Sequence, residues 1–190
     1  MITTATNLDG FANISHQAHE TELSSRLKDA IAPSIPLHLL MKNVVDVFVM
    51  VLQDDGAVFP ASVIAASLAL ADSGVEVYDL VTAFSVAVIP RSLVNTISST
   101  SNDDGDGDGD DDGGISIADA NYHLLADPSA KEILAAKGVL TIAMMKNWKE
   151  VVFWDQTGSL PAGVATEASE LCREGCVAMH KFMRQALVGN

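Results

Sequence analysis

The chain has 190 residues, a net charge of −14, 48% hydrophobic residues and a mean hydropathy of +0.25. This length suits one domain with a sizeable core, and the hydrophobic content excludes a disordered protein. The apolar runs are too short to span a bilayer and no secretory signal is visible, so we expect a soluble intracellular protein. The acidic balance argues against a stand-alone nucleic-acid binder, because such a surface repels phosphate backbones.

The first half of the chain predicts a helix, a strand and a second helix. Apolar residues at helical spacing indicate a helix over 20–31, which two prolines then end. Residues 44–53 (VVDVFVMVLQ) are almost continuously apolar and rich in β-branched residues, which predicts a strand buried on both faces. An Ala-rich helix over 60–73 follows, and Gly74 suits the position just after its end.

Four further strands are predicted in the second half. The first is a buried strand over 80–89. An Asp/Gly-rich insert at about 98–116 then interrupts the pattern, and we expect it to be disordered at the surface. Short strands follow at 122–126, 138–145 and 150–154, the last two joined as a hairpin.

The chain closes with a helix over about 162–188. Steps of three and four residues give it one apolar stripe, formed by Ala165, Ala168, Leu171, Cys172, Cys176, Met179, Phe182, Met183, Ala186 and Leu187. The element order α-β-α-β-β-β-β-α predicts an α+β sandwich, with helices packed against a mixed sheet.

The acidic insert contains the opening of a calcium-loop pattern, Asp104-x-Asp106-x-Asp108. A calcium loop needs a bidentate carboxylate at its twelfth position, which is Ile115 here. We therefore interpret the tract as a solvated acidic segment, with weak divalent binding as the alternative.

Cys172, Cys176 and His180 follow one another at intervals of four residues, which places them on one helix face. Two thiolates and an imidazole can bind zinc, but no fourth ligand lies nearby in sequence. Because these positions lie on or beside the apolar stripe, we interpret both cysteines as reduced, buried, small hydrophobic residues.

His16-x-x-His19-Glu20 resembles half of a metalloprotease signature, but its order is wrong and no later ligand follows. We interpret it as the solvated start of a helix. The sequence has no nucleophile elbow, phosphate-binding loop or dinucleotide-binding fingerprint. Residue chemistry alone therefore predicts an acidic α+β domain without a visible active site.

An ordered series of segments resembles the RNase PH-fold family. In residues 44–81 a β-branched strand runs into DDG, and an Ala-rich helix ends in LALADSGV. The following YDLV, residues 78–81, is closest to the exosome branch, particularly its mRNA-transport-type ring subunit. Residues 19–40 (HETELSSRLKDAIAPSIPLHLL) and 124–145 (LLADPSAKEILAAKGVLTIAMM) resemble neighbouring family segments, and 160–188 fit the terminal helix.

The resemblance implies an RNase PH-like fold, also described as ribosomal protein S5 domain 2-like. On this basis residues 1–15 are a non-matching N-terminus and 16–188 a partial domain interrupted by the insert. The strands of the family's opening third have no counterpart. We therefore expect a hydrophobic sheet edge near Val44, either because the chain is incomplete or because a partner chain covers the edge.

The resemblance also implies that the chain is catalytically silent. Phosphorolytic members carry D-G-G-T-R-T-A-S, and the pair corresponding to Thr-Arg is Val58-Phe59 here. Of the two acidic positions in D-L-x-x-x-E-D, Asp127 retains the first and Ile133 replaces the last. An isoleucine can neither ligate a metal nor transfer a proton. We therefore predict no catalytic, cofactor-binding or metal-binding residues, and no cofactor.

The function that the resemblance implies is a non-catalytic structural role in the exosome ring. The ring would thread single-stranded RNA to a nuclease in 3′–5′ RNA processing and degradation, including rRNA maturation and mRNA turnover. The expected partners are other RNase PH-type ring subunits, cap subunits and RNA in the assembled channel, without DNA or membrane. The expected location is the nucleus, nucleolus and cytoplasm. Two alternatives stay open: an active phosphate-dependent exoribonuclease completed by a partner subunit, and a calcium-responsive acidic protein.

Overall fold

The structure is a computed structural model that describes residues 12–36, 38–39, 44–91 and 121–189. Within these ranges the chain forms four helices, a short 3-10 turn and four strands. In chain order they are α1 (Ala12–Ile31), the 3-10 turn (Ala32–Ser34), α2 (Val58–Asp72), β1 (Val81–Pro90), β2 (Tyr122–Ala126), α3 (Ala130–Ala135), β3 (Gly138–Met145), β4 (Glu150–Gly158) and α4 (Ala162–Val188). The predicted α+β class is confirmed.

The four strands form one sheet in the order β2-β1-β3-β4, and all three pairings are antiparallel. The sequence predicted a mixed sheet, and this detail is wrong for the described residues. A parallel pair needs a crossover helix between its strands. Helix α2 could provide such a crossover between the 44–53 segment and β1, but that segment does not join the sheet as a strand.

The core lies on both faces of the sheet, because β1 is apolar on both sides. Helices α1 and α2 cover one face, where the first cluster contains Leu27, Ala30, Ile31, Phe59, Val63, Ala66, Leu70, Val81, Ala83, Ala143 and Met145. Helix α4 covers the other face, where the second cluster contains Val86, Val88, Leu124, Leu140, Ile142, Val164, Ala168 and Cys172. The sheet is therefore the middle layer of a helix–sheet–helix sandwich.

The 44–53 segment departs furthest from the prediction of a strand buried on both faces. The structure assigns it a β-bridge at Val49 alone. Its side chains alternate: three valines pack half-buried against the first cluster, while Phe48, Met50 and Leu52 face solvent, Leu52 with 91% of its surface exposed. Period-two exposure is that of an extended chain covered on one side only. In the part of the chain that the structure describes, nothing covers the other side.

The sequence also misplaced the start of one helix and missed one short helix. Helix α1 begins at Ala12 rather than near residue 20, because the weakly patterned stretch before residue 20 lacks the apolar periodicity on which the prediction depended. The short helix α3 was predicted as part of a strand-and-turn region. Six residues are too few to produce a periodic signal, so only its cap could have identified it.

Helix α4 has the predicted length, but its buried face is narrower than the predicted stripe. The buried residues are Val164, Ala168, Cys172, Cys176, His180 and Met183. Phe182 and Ala186, both assigned to the stripe, are exposed. Phe182 lies two positions beyond His180, a rotation of about 200° around the helix axis, which turns it away from the sheet. None of the described helices is long and apolar enough to cross a membrane.

The close approach of α4 to the sheet depends on a glycine. A Cβ atom placed on Gly175 would lie 2.5 Å from Cγ of Phe84, which projects from β1. Any larger residue there would push the helix away from the strand or force the aromatic ring out of its rotamer.

We predict that Gly175→Ala lowers the free energy of unfolding by about 1–3 kcal/mol, because overpacking against Phe84 outweighs the better helix propensity of alanine. Chemical denaturation measures this difference. The matched control is Gly163→Ala in the first turn of the same helix, where the added methyl meets open space. The control is expected to be neutral or stabilising by up to about 1 kcal/mol, and equal losses in both variants would contradict the packing argument.

Candidate functional site

Two loops that are distant in sequence form the walls of a cavity of about 340 Å³. One wall is the turn that leads into α2, and the other is the connection from β2 into α3. The lining residues are Gln53, Asp55, Ala57, Val58, Ala61, Asp127, Pro128, Ser129 and Glu132. The structure therefore brings together the two stretches in which the family resemblance placed a degenerate phosphorolytic site.

Backbone contacts hold the two walls together. The amide of Ala130 donates a hydrogen bond of 2.8 Å to the carbonyl of Asp55. Gly56 has a φ of +114°, a conformation that favours glycine, and a Cβ there would lie 2.7 Å from backbone atoms of Pro128 and Ala130. Asp127 is tied to the sheet, because its amide donates to the carbonyl of Ser85 at 3.0 Å. These contacts fix the two walls of the cavity relative to each other and to the sheet.

Glu132 takes part in a capping box at the start of α3. The backbone amide and the hydroxyl of Ser129 donate to Oε2 of Glu132, at 2.7 and 2.8 Å, at the first turn of α3. The carboxylate is therefore committed to the start of the helix. The Ser-x-x-Glu spacing is readable in the sequence, so this role could have been predicted from it.

The three substituted positions have different surroundings. Val58 lines the cavity, as its alignment with the family's Thr implied. Phe59 does not line it: the ring is buried in the first cluster, 4.9 Å from the ring of Phe153. Ile133 is half-buried and also outside the lining. The structure thus locates the substituted residues, while the chemical consequence of each remains a prediction.

The nearest cation to Phe59 is already engaged. The guanidinium of Arg26 lies 5.3 Å from the Phe59 ring centroid, forms an ion pair with Asp155 and approaches Glu22 at 3.8 Å. Arg26 packs against the aromatic pair and does not line the cavity. This arginine therefore stabilises the junction of α1, α2 and β4 rather than a bound anion.

The electrostatics of the cavity disfavour phosphate. Its lining contributes three carboxylates, from Asp55, Asp127 and Glu132, and no Lys, Arg or His among the described residues. An anionic phosphate and an RNA backbone both need cationic or N–H donors in such a site. Nowhere in the described ranges are three His, Cys, Asp or Glu side chains placed to hold a metal ion. The described lining therefore forms an acidic recess whose charge opposes the binding of an anion.

The cysteines of α4 are buried against the sheet, as predicted. The thiol of Cys172 donates to the carbonyl of Leu140 at 3.6 Å, and that of Cys176 to Thr82 at 3.6 Å. Burial raises the pKa of both thiols to about 12, so they remain protonated at neutral pH. A protonated thiol packed on a strand acts as a small hydrophobic group.

His180 faces a buried carboxylate that sequence reasoning missed. Neither ring nitrogen has a hydrogen-bond partner among the described residues, and Nε2 lies 3.7 Å from Oδ1 of Asp79. Asp79 accepts bonds from the backbone and side-chain amides of Asn147, at 2.7 and 2.9 Å, and from the amide of Leu80. It thereby joins the start of β1 to the β3–β4 turn. No local sequence signal marks a contact across 68 residues.

The histidine pair of α1 and the acidic insert were also candidate sites in the sequence. His19 is exposed on α1, in line with the interpretation as a solvated helix, and the side chain of His16 lies outside the described residues, as does the acidic insert with Asp104, Asp106, Asp108 and Ile115.

Comparisons with known proteins agree with this arrangement. The family model described as "3′ exoribonuclease family, domain 1", RNase PH, matches residues 3–76. Exosome complex component Rrp41 of Pyrobaculum arsenaticum is 37% identical over 168 residues, which cover 88% of this chain and 56% of that protein. The chain is therefore an RNase PH-type protein that is similar to exosome components. Exosome complex component RRP41-like of Arabidopsis thaliana is 31% identical, and the match covers 87% of this chain and 53% of that protein. Human exosome complex component MTR3 is 28% identical, and the match covers 89% of this chain and 52% of that protein.

The solved structure of rice (Oryza sativa) Rrp46 shares the fold of this RNase PH-type chain. Its TM-score is 0.66 at 14% identity, over 98% of this chain and 71% of the rice protein. The RNase PH-like fold is therefore confirmed. The chain spans about half the length of the three relatives named above.

We predict that Gly56→Ala destabilises the protein by at least about 3 kcal/mol, because a strained positive φ adds to a clash with the opposite wall. The matched control is Gly74→Ala, which has a φ of +77° but open space around its Cβ. The control should lose only about 1–2 kcal/mol. Urea denaturation measures both, and equal losses would mean that the walls of the cavity move apart freely.

We predict that stability falls as pH is lowered from about 7.5 to 5.5. Burial lowers the pKa of His180, with Lys146 and Arg184 acting in the same direction and Asp79 opposing them. The unfolded state, with a histidine pKa near ~6.5, then binds the proton more tightly, so acid favours unfolding. His180→Leu should flatten this part of the profile, while the exposed His19→Leu serves as the control. Equal slopes in all three proteins would contradict the prediction.

Proposed function

We propose that this chain is a non-catalytic structural subunit of an exosome ring. In this role it contributes to 3′–5′ RNA processing and degradation, including rRNA maturation and mRNA turnover, by helping to thread single-stranded RNA to a nuclease elsewhere. Its partners would be other RNase PH-type ring subunits and cap subunits. We propose the nucleus, nucleolus and cytoplasm as its locations.

The observation that carries the silent role is the charge of the cavity. Phosphorolysis brings an anionic phosphate to an anionic RNA backbone, and only cations or well-placed N–H donors make that approach favourable. The cavity of this chain presents Asp55, Asp127 and Glu132, and Glu132 already caps α3. The positions aligned with the family's Thr-Arg pair carry an apolar Val58 and a core-buried Phe59.

Support for a role in assembly comes from the apolar surface of the 44–53 segment. Phe48, Met50 and Leu52 expose most of their side chains on one side of an extended segment. Exposed apolar rows of this kind mark surfaces that other protein surfaces cover. Obligate subunit interfaces are large and apolar, and a subunit retained for its shape needs such contacts more than it needs an active site.

A second candidate function is an active exoribonuclease completed by a neighbouring subunit. The observation that favours it is Asp127, which retains the first acidic position of the family pattern and lines the cavity. In that case the neighbour would have to supply every cation that binds the phosphate.

We predict that the full-length chain co-purifies with RNase PH-type ring subunits but releases no nucleoside diphosphate from single-stranded RNA and phosphate. Chromatography that resolves nucleoside diphosphates measures the activity, both for the chain alone and for the assembled complex. In the complex, Asp127→Asn should leave phosphate-dependent release within about twofold of the wild-type rate. Phosphate-dependent release by the purified chain, abolished by Asp127→Asn, would establish the second candidate instead.

A further inference from the structure

Two aromatic side chains form an exposed pair at the end of the sheet where β1 begins and β3 ends. The ring centroids of Tyr78 and Trp148 lie 5.7 Å apart with an interplanar angle of 59°. Both side chains remain about half exposed, Tyr78 at 47% and Trp148 at 56%. Neither ring belongs to either core cluster. Core packing therefore does not account for the presence of two large aromatic residues here.

The pair is held in a fixed geometry by its sequence neighbours. Asp79, next to Tyr78, binds both amide groups of Asn147, next to Trp148, at 2.7 and 2.9 Å. The amide of Tyr78 donates a 2.7 Å hydrogen bond to the carbonyl of Ser34. The two aromatic residues thus project from backbone positions anchored on a buried carboxylate. A rigid aromatic surface loses little conformational entropy when a ligand stacks on it.

Two lysines lie beside the tryptophan of this pair in an otherwise acidic protein. Lys146 and Lys149 flank Trp148 in the β3–β4 turn, and Lys149 is exposed with a φ of +57°. Two of the 11 basic residues of the chain therefore lie in this four-residue turn.

We propose that this aromatic–basic corner, formed by Tyr78, Lys146, Trp148 and Lys149, is a contact site for single-stranded RNA. Bases stack on exposed aromatic rings, while lysine and arginine side chains neutralise the neighbouring phosphates. The inference rests on the proposed function for the choice of RNA as the nucleic acid. The corner itself is separate from the acidic cavity described above.

The alternative ligand, an acidic protein segment, fits less well. Such a segment would use the lysines but would leave the faces of two aromatic rings without a partner of matching shape.

The test uses the full-length chain and a fluorescent 12-nucleotide uridine oligomer at low ionic strength. We expect Trp148→Ala to raise the dissociation constant about tenfold, equivalent to about 1.4 kcal/mol. Trp154→Ala is the matched control, since Trp154 is similarly exposed at 51% but lies in β4 without flanking lysines. The control should change the dissociation constant less than twofold.

Substitutions of charged residues beside Trp148 are expected to change the RNA affinity in opposite directions. Lys149→Gln keeps the side-chain length and should reduce the slope of log affinity against log salt by about one. Glu150→Gln removes an exposed carboxylate beside the turn and should tighten binding. Because the chain contains only Trp148 and Trp154 as tryptophans, quenching that survives in Trp154→Ala and disappears in Trp148→Ala places the base on the corner.

Three results would overturn the inference. They are equal losses in the two tryptophan variants, no binding of the oligomer by the wild-type chain, and equal affinity for a poly-glutamate peptide of the same charge. The proposed function has a separate readout. If Trp148→Ala assembles normally with ring subunits but the RNA affinity is unchanged, the corner site is wrong and the ring role stands. If the chain never assembles, the ring role fails whatever the RNA affinity.

Discussion

The double burial of β1 is the constraint on which the rest of this structure depends. Eight of its ten residues are buried, and the strand lies in the interior of the sheet between β2 and β3. A strand of this kind is stable only if separate elements cover both faces. Helix α2 packs on one face and α4 on the other, and α4 can lie close because Gly175 carries no side chain. The polar residues within the strand are also paired, as the 2.7 Å contact between the hydroxyls of Ser85 and Thr141 illustrates.

The cavity is a consequence of this central strand. The carbonyl of Ser85 fixes the amide of Asp127, and the Asp55 carbonyl fixes α3, so both walls are attached to the buried layers. Backbone hydrogen bonds and Gly56 therefore maintain the shape of the cavity whichever side chains line it. Side chains within that shape are free to change, and among the described residues the lining is acidic, with no Lys, Arg or His.

The sign of the local charge differs between surfaces of the molecule. The chain as a whole carries −14, and its cavity follows that sign. The β3–β4 turn around Trp148 departs from it, because Lys146 and Lys149 lie beside Asn147, which binds Asp79. The buried carboxylate of Asp79 thus stabilises the β3–β4 turn. It also fixes the backbone next to Tyr78 and Trp148, whose half-exposed rings lie outside both core clusters. The acidic surface explains why any contact with RNA must be local.

The sequence by itself determined the α+β class, the approximate positions of α2, α4 and the four strands, the buried thiols and the two stretches that resemble family motifs. These features follow from local periodicity, from turn residues and from motif order, all of which are written in short stretches of chain. The family resemblance aligned the stretches near residues 55 and 127 with two family motifs, and in the structure both stretches line one cavity.

Only the tertiary structure decided which apolar surfaces are covered. The 44–53 segment has the composition of a buried strand, yet one side of it is exposed, because burial depends on the presence of neighbours and not on composition alone. The same reason explains why Phe59 turned into the core, why Phe182 faces solvent, and why Asp79 meets Asn147 and His180. Each depends on contacts between residues far apart in sequence, which local patterns do not encode.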